Sequence, residues 1–439
     1  MKRKIEKELS KWKAKKRFLP LLVRGARQVG KTYSILKFGS REFDQCVHIN
    51  FELEPELKGI FESLDPKRII AQLELNKGVS IKAGSTLLFL DEIQECPNAI
   101  VALRYFKENM PSLHVIGAGS LLEFAISDDQ FSFPVGRIEF LYMQPLSFEE
   151  FLWACGHERL AAHLQEVTWD QPPEDQIHTL LLDQVRQYFL VGGMPAAVKT
   201  YLETNSYLEC SRALAGLLLA YRSDFGKYAK QRQHKHLDAV FERAPLLVSK
   251  HFKYSKIDPE LRPRDLRIAL DQLCLAGLIY RIYKTSDCKC PLAAEMNMNK
   301  FKLLMLDIGL LNRACKVDAQ SVLKEPLSDI YEGRLAEQFV GQELLAAGVF
   351  FEPKTLYFWE RDKKNSSSEI DYIHPIGSKA YPIEVKAGHT GRLRSMQIFL
   401  KEKKPPLGIQ VSQKPLARDG IVSIPFYLVS QIDRLINLL

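Results

Sequence analysis

The amino-acid sequence predicts an α/β fold whose first 150 residues form a doubly wound parallel sheet of the P-loop NTPase kind. Three observations carry this expectation. Gly25 to Thr32 reads Gly-Ala-Arg-Gln-Val-Gly-Lys-Thr, between an apolar strand and a helix. Thr86 to Leu90 is a continuous apolar run that ends in Asp91-Glu92. Strand and helix patterns alternate from Leu19 to Met143, the signature of a parallel sheet covered on both faces.

Strands are expected at Leu19–Val23, Cys46–Phe51, Thr86–Leu90, His114–Gly117 and Arg137–Met143, with Tyr33–Phe38 as the helix opened by the first loop. Backbone N–H groups of such a loop cradle polyphosphate oxygens, and the helix N-terminus favours negative charge. Gly25, Ala26, Arg27, Gln28, Val29, Gly30, Lys31, Thr32 and Tyr33 are therefore the expected ATP-binding set. Lys31 reaches the β- and γ-phosphates, and the Thr32 hydroxyl goes to Mg²⁺. Asp91 is the second metal-side group, and Glu92 is the candidate to polarise the attacking water.

Two further residues lie where such sheets carry γ-phosphate contacts. Ser120 follows the fourth strand, as a sensor beside the acidic pair or as the N-cap of a helix Leu121–Ile126. Arg137 precedes the fifth strand, as an arginine finger toward a neighbouring copy or as a surface ion pair.

Beyond the sheet the pattern turns helical from 151 to 235, read as a lid, with Phe148–Cys155, Leu181–Leu190 and Leu208–Tyr221 as its helices. From 236 to 316 helices give way to a hairpin, the pattern of a winged helix: helix Arg264–Ala276, strands Leu278–Lys284 and Phe301–Leu306. Lys250, Lys253, Lys256, Arg262, Arg264 and Arg267 cluster around that helix, either to bind DNA phosphates or as the solvated face of a packing module. Asp318–Pro326 reads as a linker, and the last unit, 327–439, is α+β.

This last unit holds a second cluster. Glu369-Ile370-Asp371 alternates along one strand, and Glu384-Val385-Lys386 along another. Alternation puts Glu369 and Asp371 on one face of their strand, and Glu384 with Lys386 on one face of theirs. The helix Gly333–Leu345 brings Glu337, with Glu332 and Glu343 as substitutes. Carboxylates holding Mg²⁺ beside a lysine are what metal-dependent phosphodiester hydrolysis needs, so Asp371 and Glu384 are the expected metal ligands there.

Composition narrows the rest. With 46% hydrophobic and 26% charged residues, the 439-residue chain reads as a globular protein of several domains. No apolar run has the length of a membrane span, and the eight cysteines lack the paired spacing of a zinc framework. They are read as reduced thiols in a cytoplasmic protein. The net charge of +8 admits acidic partners such as DNA. Ile5, Leu9 and Trp12 in the basic N-terminal segment recur at helical spacing, which favours a helix packed beside the sheet over a nucleic-acid contact.

Taken with Leu90–Gln94, Gly119–Glu123, Pro145–Leu152 (Pro-Leu-Ser-Phe-Glu-Glu-Phe-Leu), Gly192–Pro195 (Gly-Gly-Met-Pro), Leu306–Leu311 and Glu384–Lys386, the chain resembles a prokaryotic family of AAA-type ATPases. That family joins a P-loop ATPase to a C-terminal domain with a PD-(D/E)xK, restriction-endonuclease-like core. The resemblance implies ATP and Mg²⁺ as cofactors, with Gly30, Lys31, Thr32, Asp91 and Glu92 in nucleotide roles. It also implies Ser120 and Arg137 at γ-phosphate positions, and Glu337, Asp371, Glu384 and Lys386 in the nuclease-like centre. ATP turnover gating the C-terminal domain is the activity expected from it; a nucleotide-controlled switch or scaffold with a non-catalytic C-terminal domain is the alternative. Homo-oligomers and a nucleic acid are the expected partners.

Overall fold

The computed structural model describes residues 1–126, 136–229, 231–317, 333–362, 368–387 and 393–439. The expected linker, Glu332 and most of the polar stretch 363–368 lie outside them.

Five parallel strands form the first sheet: β1 Leu21–Arg24, β2 Gln45–Asn50, β3 Thr86–Asp91, β4 His114–Ala118 and β5 Glu139–Tyr142. Their order is β2-β3-β4-β1-β5, so β4 separates β1 from β3. Every residue of β3 and β4 is buried, which is why both read as unbroken apolar runs rather than alternating ones. Parallel pairing throughout puts the residues after β1, β3 and β4 on one edge, the strand carboxyl ends where such sheets bind ligands.

The N-terminal helix Ile5–Lys13 buries Ile5, Leu9 and Trp12 against this sheet, as its apolar spacing requires. Helices Phe148–Ala154, Asp175–Val191, Pro195–Thr204 and Tyr207–Ser223 follow. The first starts on a capping box between Ser147 and Glu150, a two-way exchange that satisfies helix-end amides. This accounts for Pro-Leu-Ser-Phe-Glu-Glu as a local folding signal.

The second sheet has seven strands: β6 Ile279–Thr285, β7 Met296–Met305, β8 Leu356–Glu360, β9 Glu369–Ile376, β10 Lys379–Val385, β11 Gly408–Ser412 and β12 Ile421–Pro425. Their order is β12-β11-β10-β9-β8-β6-β7. The β6–β7 hairpin expected as a wing is thus not free. β6 pairs in parallel with β8 of the C-terminal unit, because an uncovered strand edge presents unpaired N–H and C=O groups. Strands from before and after the expected linker thus share one sheet.

The modules interlock. Leu146, Tyr188, Gly193, Asp307 and Gln342 meet in a buried polar junction. Gly193 N donates to Asp307 Oδ2 at 2.5 Å, and Gln342 Nε2 donates to the Tyr188 hydroxyl at 2.7 Å. A Cβ on Gly193 would stand 2.2 Å from the Leu146 carbonyl oxygen, so Gly-Gly-Met-Pro is a close backbone crossing. Burial pushes the Asp307 carboxyl up to about 6, against the amides that bond to it. One buried apolar cluster extends from Ile5 to Ile436. Among the described residues no helix is long and apolar enough to cross a membrane.

Candidate nucleotide-binding centre and a second acidic centre

β1 ends at Arg24, and the chain turns through Gly25 (φ +145°), Gln28 (φ +64°) and Gly30 (φ +97°) into helix Lys31–Glu42. At Gly25 a Cβ would sit 2.2 Å from the Met143 carbonyl oxygen, so a side chain is excluded there. Gln28 holds a left-handed backbone that non-glycine residues adopt at a cost. The bend is therefore held by its surroundings.

Lys31 is buried, and its ammonium donates to the carbonyls of Gly25 and Ala26, each at 2.8 Å. Burial draws its pKa down to about 8, opposed by Glu92 and Asp91. The Thr32 hydroxyl donates to Asp91 Oδ2 at 2.9 Å. A hydroxyl and a carboxylate at contact distance are hard oxygen donors, the set Mg²⁺ takes beside phosphate oxygens, so the residues fit the ion. Glu92 follows in a left-handed backbone (φ +46°). Its Oε2 accepts from Gln94 Nε2 at 2.9 Å and from the Ser120 hydroxyl at 3.3 Å. Ser120 thus stands beside the acidic pair.

The remaining loop residues divide. Arg27 pairs with Asp224 and, at 3.8 Å, with Glu52, while the Tyr221 hydroxyl donates to the Arg27 carbonyl at 3.0 Å. Arg27 therefore ties the loop to the helical region. Tyr33 is exposed, and its hydroxyl accepts from the Met1 terminal ammonium at 3.0 Å. Tyr33, expected in the ATP set, is thus engaged with the chain's first residue rather than with Lys31, Thr32 or Asp91.

Three contributors were not foreseen. His48 Nε2 lies 3.3 Å and Asn50 Nδ2 3.5 Å from Asp91 Oδ2, because β2 runs in register with β3 and places Asn50 opposite Asp91. Arg3 donates to the Val29 carbonyl at 2.8 Å and the Gln144 carbonyl at 2.7 Å, and pairs with Glu150 at 3.1 Å. The basic N-terminal segment thus braces the loop. A cavity of about 590 Å³ adjoins Gly25, Ala26 and Ser120 but not Lys31, Thr32, Asp91 or Glu92, so it lies beside the phosphate centre.

Arg137 is elsewhere. Glu139 pairs with Leu21 at the start of both strands, so Arg137 lies roughly six strand residues, about 20 Å at ~3.3 Å each, from the loop. It is half exposed and faces Glu108 at 3.5 Å. It does not reach the nucleotide centre of its own chain.

The second centre forms on β9, β10 and helix Arg334–Ala346. Tyr372 pairs with Ile383 in antiparallel register, which sets Asp371 opposite Glu384. Val385 N donates to Asp371 Oδ2 at 2.8 Å, and Lys386 Nζ donates to Glu384 Oε1 at 2.7 Å. Glu337 joins them. Glu343 instead accepts from Phe148 N at 2.8 Å, toward the lid side. Burial pushes Glu337 up to about 8 and Glu384 up to about 7, with Asp371 adding to both.

Lys302 of β7 was not foreseen. Its side chain is 1% exposed, and its ammonium lies 3.6 Å from Glu337 Oε2 and 3.8 Å from Asp371 Oδ1, in contact with Glu369. Burial lowers its affinity for the proton, but these carboxylates outweigh burial and hold it above its ordinary value. Among the described residues no group of three His, Cys, Asp or Glu is arranged to hold a metal ion. Lys302 thus stands beside Asp371, as Lys386 does beside Glu384, so two ammonium groups face the expected ligands.

Residues 17–152 match the family model described as an AAA domain. Residues 182–321 and 332–428 match two families described as domains of unknown function, DUF8612 and DUF4143. No curated protein matches the chain. Among solved structures, the Walker-type ATPase PABY2304 of Pyrococcus abyssi is similar at 16% identity and a TM-score of 0.45, over 71% of this chain and 94% of that one. The Aeropyrum pernix ORC1 protein, solved in complex with DNA, is similar at 12% identity and a TM-score of 0.30, over 72% and 93%. The RuvB Holliday junction branch migration motor of Thermotoga maritima is similar at 15% identity and 0.29, over 63% and 88%. The match to the AAA domain model is confined to the N-terminal region, which holds the five-stranded parallel sheet and the phosphate loop.

Proposed function

We propose that the chain hydrolyses ATP with Mg²⁺ and passes its nucleotide state to the C-terminal unit, acting in association with nucleic acid. The observation that carries this reading is the Thr32–Asp91 hydrogen bond at 2.9 Å, next to buried Lys31 and with Glu92 following. Lys31 neutralises the β- and γ-phosphates. Thr32 and Asp91 would hold Mg²⁺, which supplies further charge neutralisation between those phosphates. Glu92 orients and deprotonates the attacking water, exchanging its bond from Ser120 as it does so. Ser120, freed from Glu92, senses the γ-phosphate. The nucleotide state leaves the site through Arg27, which joins the loop to Asp224 and Tyr221.

Arg137, half exposed and remote from its own loop, serves a neighbouring copy in this reading. Arg137→Ala then lowers kcat by about 10³-fold, the scale of an arginine finger, with ATP affinity unchanged. A per-chain rate that is independent of protein concentration and indifferent to the substitution refutes the role.

The nucleic-acid association rests on the six basic residues around helix Pro263–Leu275. Lys250, Lys253, Lys256, Arg262, Arg264 and Arg267 are all exposed, the footprint expected of phosphate contacts. Replacing Arg262, Arg264 and Arg267 together with alanine weakens duplex DNA binding and reduces its salt dependence by about one contact per arginine. Titrations at several salt concentrations check this, and an unchanged slope removes these residues from the interface. Measuring the ATPase rate with single-stranded, duplex and branched DNA tests the whole reading; stimulation supports it, and indifference to all three detaches the ATPase from nucleic acid.

The facing pair Asp371 and Glu384, with Lys386 two residues on and Glu337 on the adjoining helix, supports a PD-(D/E)xK-like C-terminal unit. Lys302 among these acids favours the second form of the proposal, in which that unit is controlled by nucleotide but does not cleave.

A further inference from the structure

We infer that Lys302 is the resident cation of the C-terminal acidic centre, and that its charge keeps a divalent metal from the carboxylates of Glu337, Asp371 and Glu384. The inference deepens the non-cleaving reading of the C-terminal unit and is independent of the ATPase.

Three observations support it. Lys302 comes from β7, at the far end of the sheet order from β10, yet its side chain is 1% exposed and aimed at Glu337, Glu369 and Asp371. A buried ammonium persists only where anions and ring faces replace water; here three carboxylates and the Phe358 ring, at 5.3 Å, do so. The position is also fixed by its neighbour across the chain. His251 bridges to Lys302 in the backbone, and its Nε2 lies 2.7 Å from the other oxygen of Glu369. Finally, the acids are not used up. Glu384 Oε2 is buried and has no hydrogen-bond partner among the described residues. Glu337, Asp371 and Glu384 remain a hard oxygen set, and Lys302 supplies the charge that denies it to a second cation.

The test uses the full chain, free of nucleotide, and Mn²⁺ counted by electron paramagnetic resonance. Wild type is expected to bind no Mn²⁺ that Asp371→Asn removes. Lys302→Met keeps the volume and drops the charge, and is expected to gain about one Mn²⁺ per chain, an ion held by carboxylate oxygens. That ion is lost in the Lys302→Met, Asp371→Asn double variant, and Lys302→Arg behaves as wild type. A wild-type Mn²⁺ site sensitive to Asp371→Asn overturns the inference, as does a folded Lys302→Met that takes up none. Should Lys302→Met fold only poorly, its near-ultraviolet circular dichroism is expected to recover on adding Mn²⁺, and the wild-type count decides by itself. An ATPase that proved inactive would leave all of these outcomes readable.

Discussion

Replacing Lys31 with alanine abolishes ATP binding. The wild-type ammonium is buried and bonds to the loop carbonyls of Gly25 and Ala26, so it is aimed into the bend that receives the phosphates. A hydrogen bond to a charged group is worth about 1.5–3 kcal/mol, and Lys31 spans two phosphates, so the loss is on the order of 10²–10³-fold in affinity or more. The fold survives, because the substitution also removes the cost of burying a charge. Isothermal titration with ATP and Mg²⁺ reads the loss, and an unchanged thermal midpoint shows that the protein is intact. Unchanged affinity refutes the assignment.

The same residue dictates a pH dependence. Burial lowers Lys31 to about 8 in the free protein, and the triphosphate binds its protonated form. Affinity is therefore fully present below pH 8 and falls as pH rises through it, with proton uptake on binding in that range. Titrations in buffers of different ionisation enthalpy detect that uptake.

Glu92→Gln leaves ATP binding intact and slows hydrolysis by about 10²–10⁴-fold, the range a positioned general base supplies. Glutamine keeps the length of the side chain and an oxygen to accept from Ser120, which donates at 3.3 Å, but cannot take a proton from water. Turnover equal to wild type would mean that another group positions the water.

What was readable in advance follows a physical line. The phosphate loop and the acidic pair announce themselves because their demands are local: glycines where φ is positive, an apolar run where a strand is buried on both faces, a carboxylate where it ends. The strands and the principal helices appear within a few residues of their expected positions for the same reason. Contributions set by strand order were hidden. Asn50 and His48 reach Asp91 only because β2 lies beside β3, and nothing in their own segment states that neighbour. Arg3 meets Val29 only through the packing of the N-terminal helix. The β6–β7 hairpin reads locally as a wing, yet β8 covers its edge, and that pairing carries Lys302 into an acidic cluster whose member Glu384 lies 82 positions away in sequence. Arg137 shows the converse: its place before β5 was legible, but only the parallel register with β1 puts it on the edge of the sheet away from its own loop.

The central claim is that one bend and one acidic strand end grip and split ATP, and the nucleotide retained by Glu92→Gln tests it most directly. After incubation with ATP and Mg²⁺ and rapid removal of free nucleotide, the variant is expected to carry ATP, wild type ADP, and Lys31→Ala neither. A Glu92→Gln protein that holds no nucleotide, or that carries ADP as fast as wild type does, contradicts the account.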